Sequence, residues 1–227
     1  MDPGRTGGVI DLMEDFSLLG GQLLLRVVHL LAAIVWLGLG YYFNFVHAAY
    51  FREAVPDARA DLIRKLIPLG MSWSRVAALF TIASGALLVL VSERPLGGWS
   101  LDLAVGALLG VLMFLNVWFV IWPNYRVTCG LEVGDAAVAG PRAQLAARIN
   151  VLFSLPLLVF MTASAHLPGT GLGNAGIMRI ALIVAIVGAI EANAIAGRAW
   201  SPLLGTRGLV GSSIAFALLL WVIVHGL

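Results

Sequence analysis

The stretch RVVHLLAAIVWLGLGYYFNFVHAAYFRE, from Arg26 to Glu53, is nearly free of charge between its ends and long enough to cross a bilayer, yet it carries two histidines and an asparagine. A hydrocarbon core about 30 Å thick needs roughly 20 apolar residues of helix. Six stretches meet or approach that length, at about 23–51, 69–91, 102–122, 149–167, 177–196 and 209–226. Breakers and charges collect between them, in REAVPDARADLIRK (52–65), ERPLGG (93–98), the segment around Pro141, LPGTGLGN (167–174) and GRAWSPLLGTRG (197–208). The expected fold is therefore an all-α membrane bundle of about six transmembrane helices. Residues 1–22 form a short extramembrane segment, and 23–227 a single transmembrane domain.

Composition agrees. Of the 227 residues, 60% are hydrophobic and 11% charged, and the mean hydropathy of +0.97 exceeds that of ordinary soluble domains. Fourteen basic residues against twelve acidic ones leave no large basic surface for phosphate contacts, so nucleic acid is not an expected partner. The N-terminus lacks the basic start and short apolar core of a cleaved signal, and the first spanning helix is expected to direct insertion itself. Cys129 is the only cysteine, which excludes an internal disulfide, a CxxC redox pair and a CxxCH haem attachment.

Cytoplasmic loops of membrane proteins are enriched in Lys and Arg. The connections after the first, third and fifth helices hold Arg52, Arg59, Arg64, Lys65, Arg126, Arg142, Arg148, Arg198 and Arg207, whereas the other side holds Arg5, Arg26, Arg94 and Arg179. Both termini are thus expected outside. Trp118 and Trp122 then fall at the inner boundary, and Trp99 and Trp221 towards the outer one.

That orientation sorts the polar intramembrane residues by depth. His29, His166 and His225 fall in the outer half; His47, Asn44, Arg75, Asn116, Asn124, Asn150, Glu191 and Asn193 fall in the inner half. On an ideal helix, His29, Trp36, Gly40 and His47 share one line, with Phe43 and Asn44 beside it. The two histidines are roughly 27 Å apart along the axis and so belong to two sites.

Neutral imidazoles on two helices of a bundle can hold haem b without covalent attachment. His29 and His166 are the expected iron ligands, with Trp36 beside the haem and His225 at a depth that lets it replace either. Hydrogen bonding inside the bundle would also account for each histidine taken singly. A copper or zinc site ranks lower, because no Cys, Met or carboxylate cluster accompanies the histidines. In the inner layer Arg75 and Glu191 are costly in lipid and should face the interior. They either pair with one another or, with Asn44, His47, Asn116 and Asn150, line a pocket for a small molecule such as a quinone. In the fourth helix Asn150 and His166 stand about 160° apart, an angle that a kink at Pro156 can change. GxxxG at Gly106 and Gly110, and the alanines of the fifth helix, read as packing seams.

HLLAAIVWLGLGYYFNFVHAAYF (29–51), WSRVAALFTIASGALL (73–88), NVWFVIWPN (116–124) and RINVLFSLPLLVFMTASAH (148–166), in that order, resemble the membrane domain of bacterial cytochrome-c-linked urate hydroxylase, the urate oxidase N-terminal family. The opening His, Trp and Gly pattern is also similar to haem-binding protoporphyrinogen oxidases of the HemJ type and to CopD copper-resistance proteins. The resemblance implies an oxidoreductase subunit of the bacterial inner membrane, in which urate is oxidised and electrons reach a c-type cytochrome. Such hydroxylases carry a C-terminal cytochrome c domain. With no CxxCH here, the expected acceptor is a separate c-type cytochrome, and the electron donor is urate, a quinone or a partner dehydrogenase. A proton or copper transporter and a non-catalytic anchor for a redox complex are the alternatives.

Overall fold

The computed structural model describes residues 4–91, 98–197 and 201–226, with side chains from residue 20 onward, Ser201 excepted. Arg5, Arg94, Arg198 and most of the 93–98 connection, all used in the expected topology, lie outside the residues or side chains so described. The described residues are mostly helical and form no strand, and six helices are long and apolar enough to cross a membrane. They are α1 (Gly20–Glu53, continuous with helix that begins at Gly4), α2 (Pro56–Val91), α3 (Leu101–Thr128), α4 (Ala136–His166), α5 (Ile177–Ile195) and α6 (Thr206–His225).

The first four helices are longer than hydropathy suggests, α1 because helix runs from Gly4 through the expected extramembrane segment and α3 because it continues to Thr128. The charged segment 52–65, expected as a loop, is helical from Pro56, which occupies the first helical position where its missing N–H costs nothing. α4 begins at Ala136 with the Asp135 carboxylate capping Ala137 N (2.8 Å), so Pro141 lies inside it. Pro156, in the middle of the same helix, cannot donate to Leu152 O. The Ser213 hydroxyl of α6 donates to that carbonyl instead (2.9 Å), which satisfies the ladder and pins α6 to α4.

Three helices widen into π turns, at Tyr42–His47 in α1, Leu62–Leu66 in α2 and Asn116–Ile121 in α3. The second and third come two residues before Pro68 and Pro123, where proline withdraws a donor from the ladder. Each such turn accommodates an extra residue and rotates the helix beyond it by roughly 100°.

α4 is the axis of the bundle, with 67% of its most apolar window buried against 11% for α1. It packs on α3, α6, α5 and α1, while α1 lies chiefly along α2. In the α1–α2 pair Gly70 receives the Phe43 ring and Gly85 the His29 ring. A Cβ at Gly85 would stand 2.9 Å from His29 Cε1, so this approach requires glycine. Leu30, Leu31 and Ile34 of α1 are exposed and suit lipid.

Candidate functional site

Polar side chains gather at two depths. Tyr41 of α1 meets Ser154 of α4 (2.8 Å), and Asn44 reaches Ala147 O (3.5 Å), which fixes the antiparallel register of these helices. His29 and His166 each lie 12 residues, or roughly 18 Å, beyond the Tyr41–Ser154 contact on their own helices. The register therefore brings both imidazoles to one level.

At the deeper level a cavity of about 40 Å³ sits between α1, α2, α3 and α4. Its walls include Trp36, Tyr41, Asn44, Ser74, Asn150 and Ser154, closed by apolar side chains such as Phe43, Met71 and Met113. That volume holds two or three waters. Several polar atoms on its walls are already committed. Asn44 Nδ2 donates to Gly40 O (2.9 Å) and Ala147 O, which uses both its hydrogens and leaves Oδ1 without a partner among the described residues. Asn150 Nδ2 donates to Met113 O (3.0 Å), while its Oδ1 accepts from Asn116 Nδ2 (3.0 Å). The second Asn116 hydrogen goes to Glu191 Oε2 (3.1 Å). The Ser154 hydroxyl donates to Val151 O (2.7 Å), so Tyr41 must donate its own hydrogen to Ser154 and keeps lone pairs to offer. The Ser74 hydroxyl is buried with no partner among the described residues. What remains for a guest is two acceptors, Asn44 Oδ1 and Tyr41 Oη, with one Asn150 N–H and the Ser74 hydroxyl as donors. At about 40 Å³ the cavity has room for water, which these groups can hydrogen-bond, with the Trp36 and Phe43 rings beside it.

Four of the expected pocket residues enter this network: Asn44 and Asn150 on the wall, Asn116 behind Asn150, and half-buried Glu191 behind Asn116. Two do not. His47 is the last residue of the π turn, which rotates it off the line of His29, Trp36 and Gly40. It packs among Tyr42, Phe43 and Phe51, with Nε2 buried and unpartnered. Arg75 does not pair with Glu191. Its guanidinium lies between the Trp118 and Trp122 rings, 4.2 and 4.5 Å from their centroids, a cation–π arrangement that accounts for its charge without an anion. Trp36, expected beside His29, instead lines the cavity with Asn44.

At the other level, His29 Nδ1 donates to Thr81 O (2.9 Å) and lies 3.1 Å from Ser84 Oγ, and His166 Nδ1 donates to Thr162 O (3.1 Å). A carbonyl can only accept, so each ring carries its hydrogen on Nδ1. Each keeps the Nε2 lone pair, with no protein partner among the described residues. His29 is turned onto α2 and is half-buried, whereas His166 is exposed at the end of α4. Asn150 faces the cavity from the middle of α4. His225 is not available through Nε2, which donates to Asp102 Oδ1 (3.0 Å).

Comparison with family models, curated proteins and solved structures finds no match for this chain.

Sequence reasoning missed Tyr41, Ser74, Ser154, Asp102 and Arg148. Ser154 follows Asn150 by four residues, on the same helical face, which was an available signal. Arg148 was counted as a loop charge, yet it is buried and donates to Leu203 O, tying α4 to the turn Ser201–Leu204. Among the described residues no three His, Cys, Asp or Glu side chains group as a metal site. Any iron held here would therefore rest on one or two imidazoles and on a macrocycle supplying the other donors.

Proposed function

We propose that the chain is a haem-binding oxidoreductase subunit of a bacterial inner membrane. On this reading the inner cavity takes a small flat N–H-bearing heterocycle of the urate kind, and electrons leave the outer end to a separate c-type cytochrome. The observation that carries it is the state of the two level imidazoles. A histidine that binds iron through Nε2 ordinarily donates its Nδ1 hydrogen to a carbonyl or carboxylate, which fixes the tautomer and aims the lone pair. His29 and His166 both do so, and Gly85 leaves the His29 ring its place. On this reading His29 and His166 are the residues that would hold haem b. Bound there, haem would supply a one-electron carrier.

The cavity supports the substrate half of the reading. Residues from all four blocks that carry the family resemblance line it: Trp36, Tyr41 and Asn44, then Ser74, then Val117 and Ile121, then Asn150 and Ser154. Their uncommitted groups complement a ring with N–H and carbonyl edges. A purine needs more room than 40 Å³, and the flexible Met71 and Met113 side chains are the parts of the wall suited to give way.

The test is an optical spectrum of protein purified after haem-replete expression. A Soret band that His29→Ala and His166→Ala each abolish or shift is the expected result; its absence in the unaltered chain would sink the haem reading. Urate consumption with an added c-type cytochrome checks the substrate. A proton path is the second reading. It rests on Glu191, which reaches the cavity wall through Asn116 and Asn150, and it calls for proton flux in vesicles that Glu191→Gln stops.

A further inference from the structure

The outer end holds a buried acid that the proposed chemistry does not use. Asp102, in the first turn of α3, is 0% exposed, and its Oδ2 has no hydrogen-bond partner among the described residues. Oδ1 accepts from His225 Nε2 (3.0 Å), the last helical residue of α6, whose ring lies 4.0 Å from that of Trp221. Over Oδ2 lies Gly169, where a Cβ would approach to 2.6 Å. Gly169 is three residues after His166, in the loop between α4 and α5. The same loop is zipped to the start of α3 by Leu101 N to Thr170 O (2.8 Å) and Leu172 N to Trp99 O (2.7 Å). Arg179, a charged side chain at this end, donates to Val224 O (3.1 Å) and not to Asp102.

We infer that Asp102 and His225 form a positioning pair that holds the 167–172 loop, and through it His166, at the level of His29. The coupling runs through α6. An uncompensated buried carboxylate is costly, and His225 supplies its one side-chain hydrogen bond among the described residues. The acid therefore stays buried under Gly169 only while α6 is docked. Loss of that donor favours hydration of Asp102, which requires the loop to lift, and the lifted loop begins at the residue after His166. The role assigned to His166 rests on the haem reading; the loop contacts do not.

The test uses the full chain from haem-replete expression, with His225→Phe, His225→Gln and Asp102→Asn compared with the unaltered protein. Hydrogen exchange at the Leu101 and Leu172 amides reads the loop directly, and the haem spectrum and midpoint potential read His166. In His225→Phe the two amides should exchange at least tenfold faster and the haem band and potential should shift. His225→Gln, which keeps a donor, should restore both. Asp102→Asn should fall between them. Unchanged exchange in His225→Phe would overturn the pair as a latch. Faster exchange with an unshifted haem would overturn its positioning of His166. Faster exchange in a chain that binds no haem supports the latch while defeating the haem reading, so the two failures are separate. His225 is 25% exposed and ends a helix, which makes its variants tolerant of folding where Asp102 variants are not.

Discussion

At the cavity level the carboxamides of Asn44, Asn116 and Asn150 bind backbone carbonyls, Glu191 or one another, whereas His29 and His166 use one ring nitrogen each and keep the second. The first arrangement fixes a shape, because each amide is oriented by what it already holds, and a guest meets a pattern set in advance. The second leaves strong lone pairs free in a membrane helix, where polar groups are expensive and usually mark function. On the proposed reading the first depth recognises and the second ligates, and the contrast can be broken from either side.

The largest effect should come from His29. His29→Ala removes the half-buried imidazole and, on the haem reading, eliminates the Soret band, while helical content by circular dichroism stays near that of the unaltered protein. An intact Soret band would move the haem away from this helix. Asn116→Leu acts on the other depth. It leaves Glu191 and Asn150 Oδ1 without their donor in the interior, a loss of about 1–3 kcal/mol in stability, read as a shift in the unfolding midpoint in mixed micelles. The haem spectrum of that variant should be unchanged, and a shift would show that the two levels are one site.

Six crossings were legible because a 20-residue apolar run has few other uses, and α5 and α6 fall within a few residues of their expected bounds. The starts of α2 and α4 were not, since Pro56 and Asp135 begin helices within stretches whose charges read as loop. Asn44, Asn116, Asn150 and Glu191 were legible as polar groups in lipid. Their grouping was not, because it depends on the α1–α4 register and on π turns that no periodicity announces. The same π turn explains why His47, aligned with His29 on an ideal wheel, faces elsewhere. Asp102 was illegible for a different reason: after Ser100, an acid in a first turn reads as ordinary helix capping, and its partner lies 123 residues away.

A smaller change tests how closely His29 is held. Gly85→Ala places a methyl 2.9 Å from Cε1, so the ring must move by a few tenths of an ångström. Haem should be retained with a displaced band or potential. Full loss would mean that the ring has no slack, and no change would mean that the Gly85 contact does not orient it.

The smallest expected effect concerns which end faces inward, on which the assignment of recognition and ligation to membrane sides depends. Cys129, the chain's only thiol, follows the last residue of α3 at the same end as Arg126 and Arg142. It is partly buried, and burial pushes its thiol above the ordinary range, so less thiolate is present at neutral pH. A membrane-impermeant maleimide should therefore label it slowly at pH 7, and the rate should rise about tenfold per pH unit below its pKa, because only the thiolate reacts. Labelling should occur in inside-out vesicles and not in intact cells. The reverse pattern would invert the bundle, putting the cavity on the outer side and His29 and His166 on the inner one.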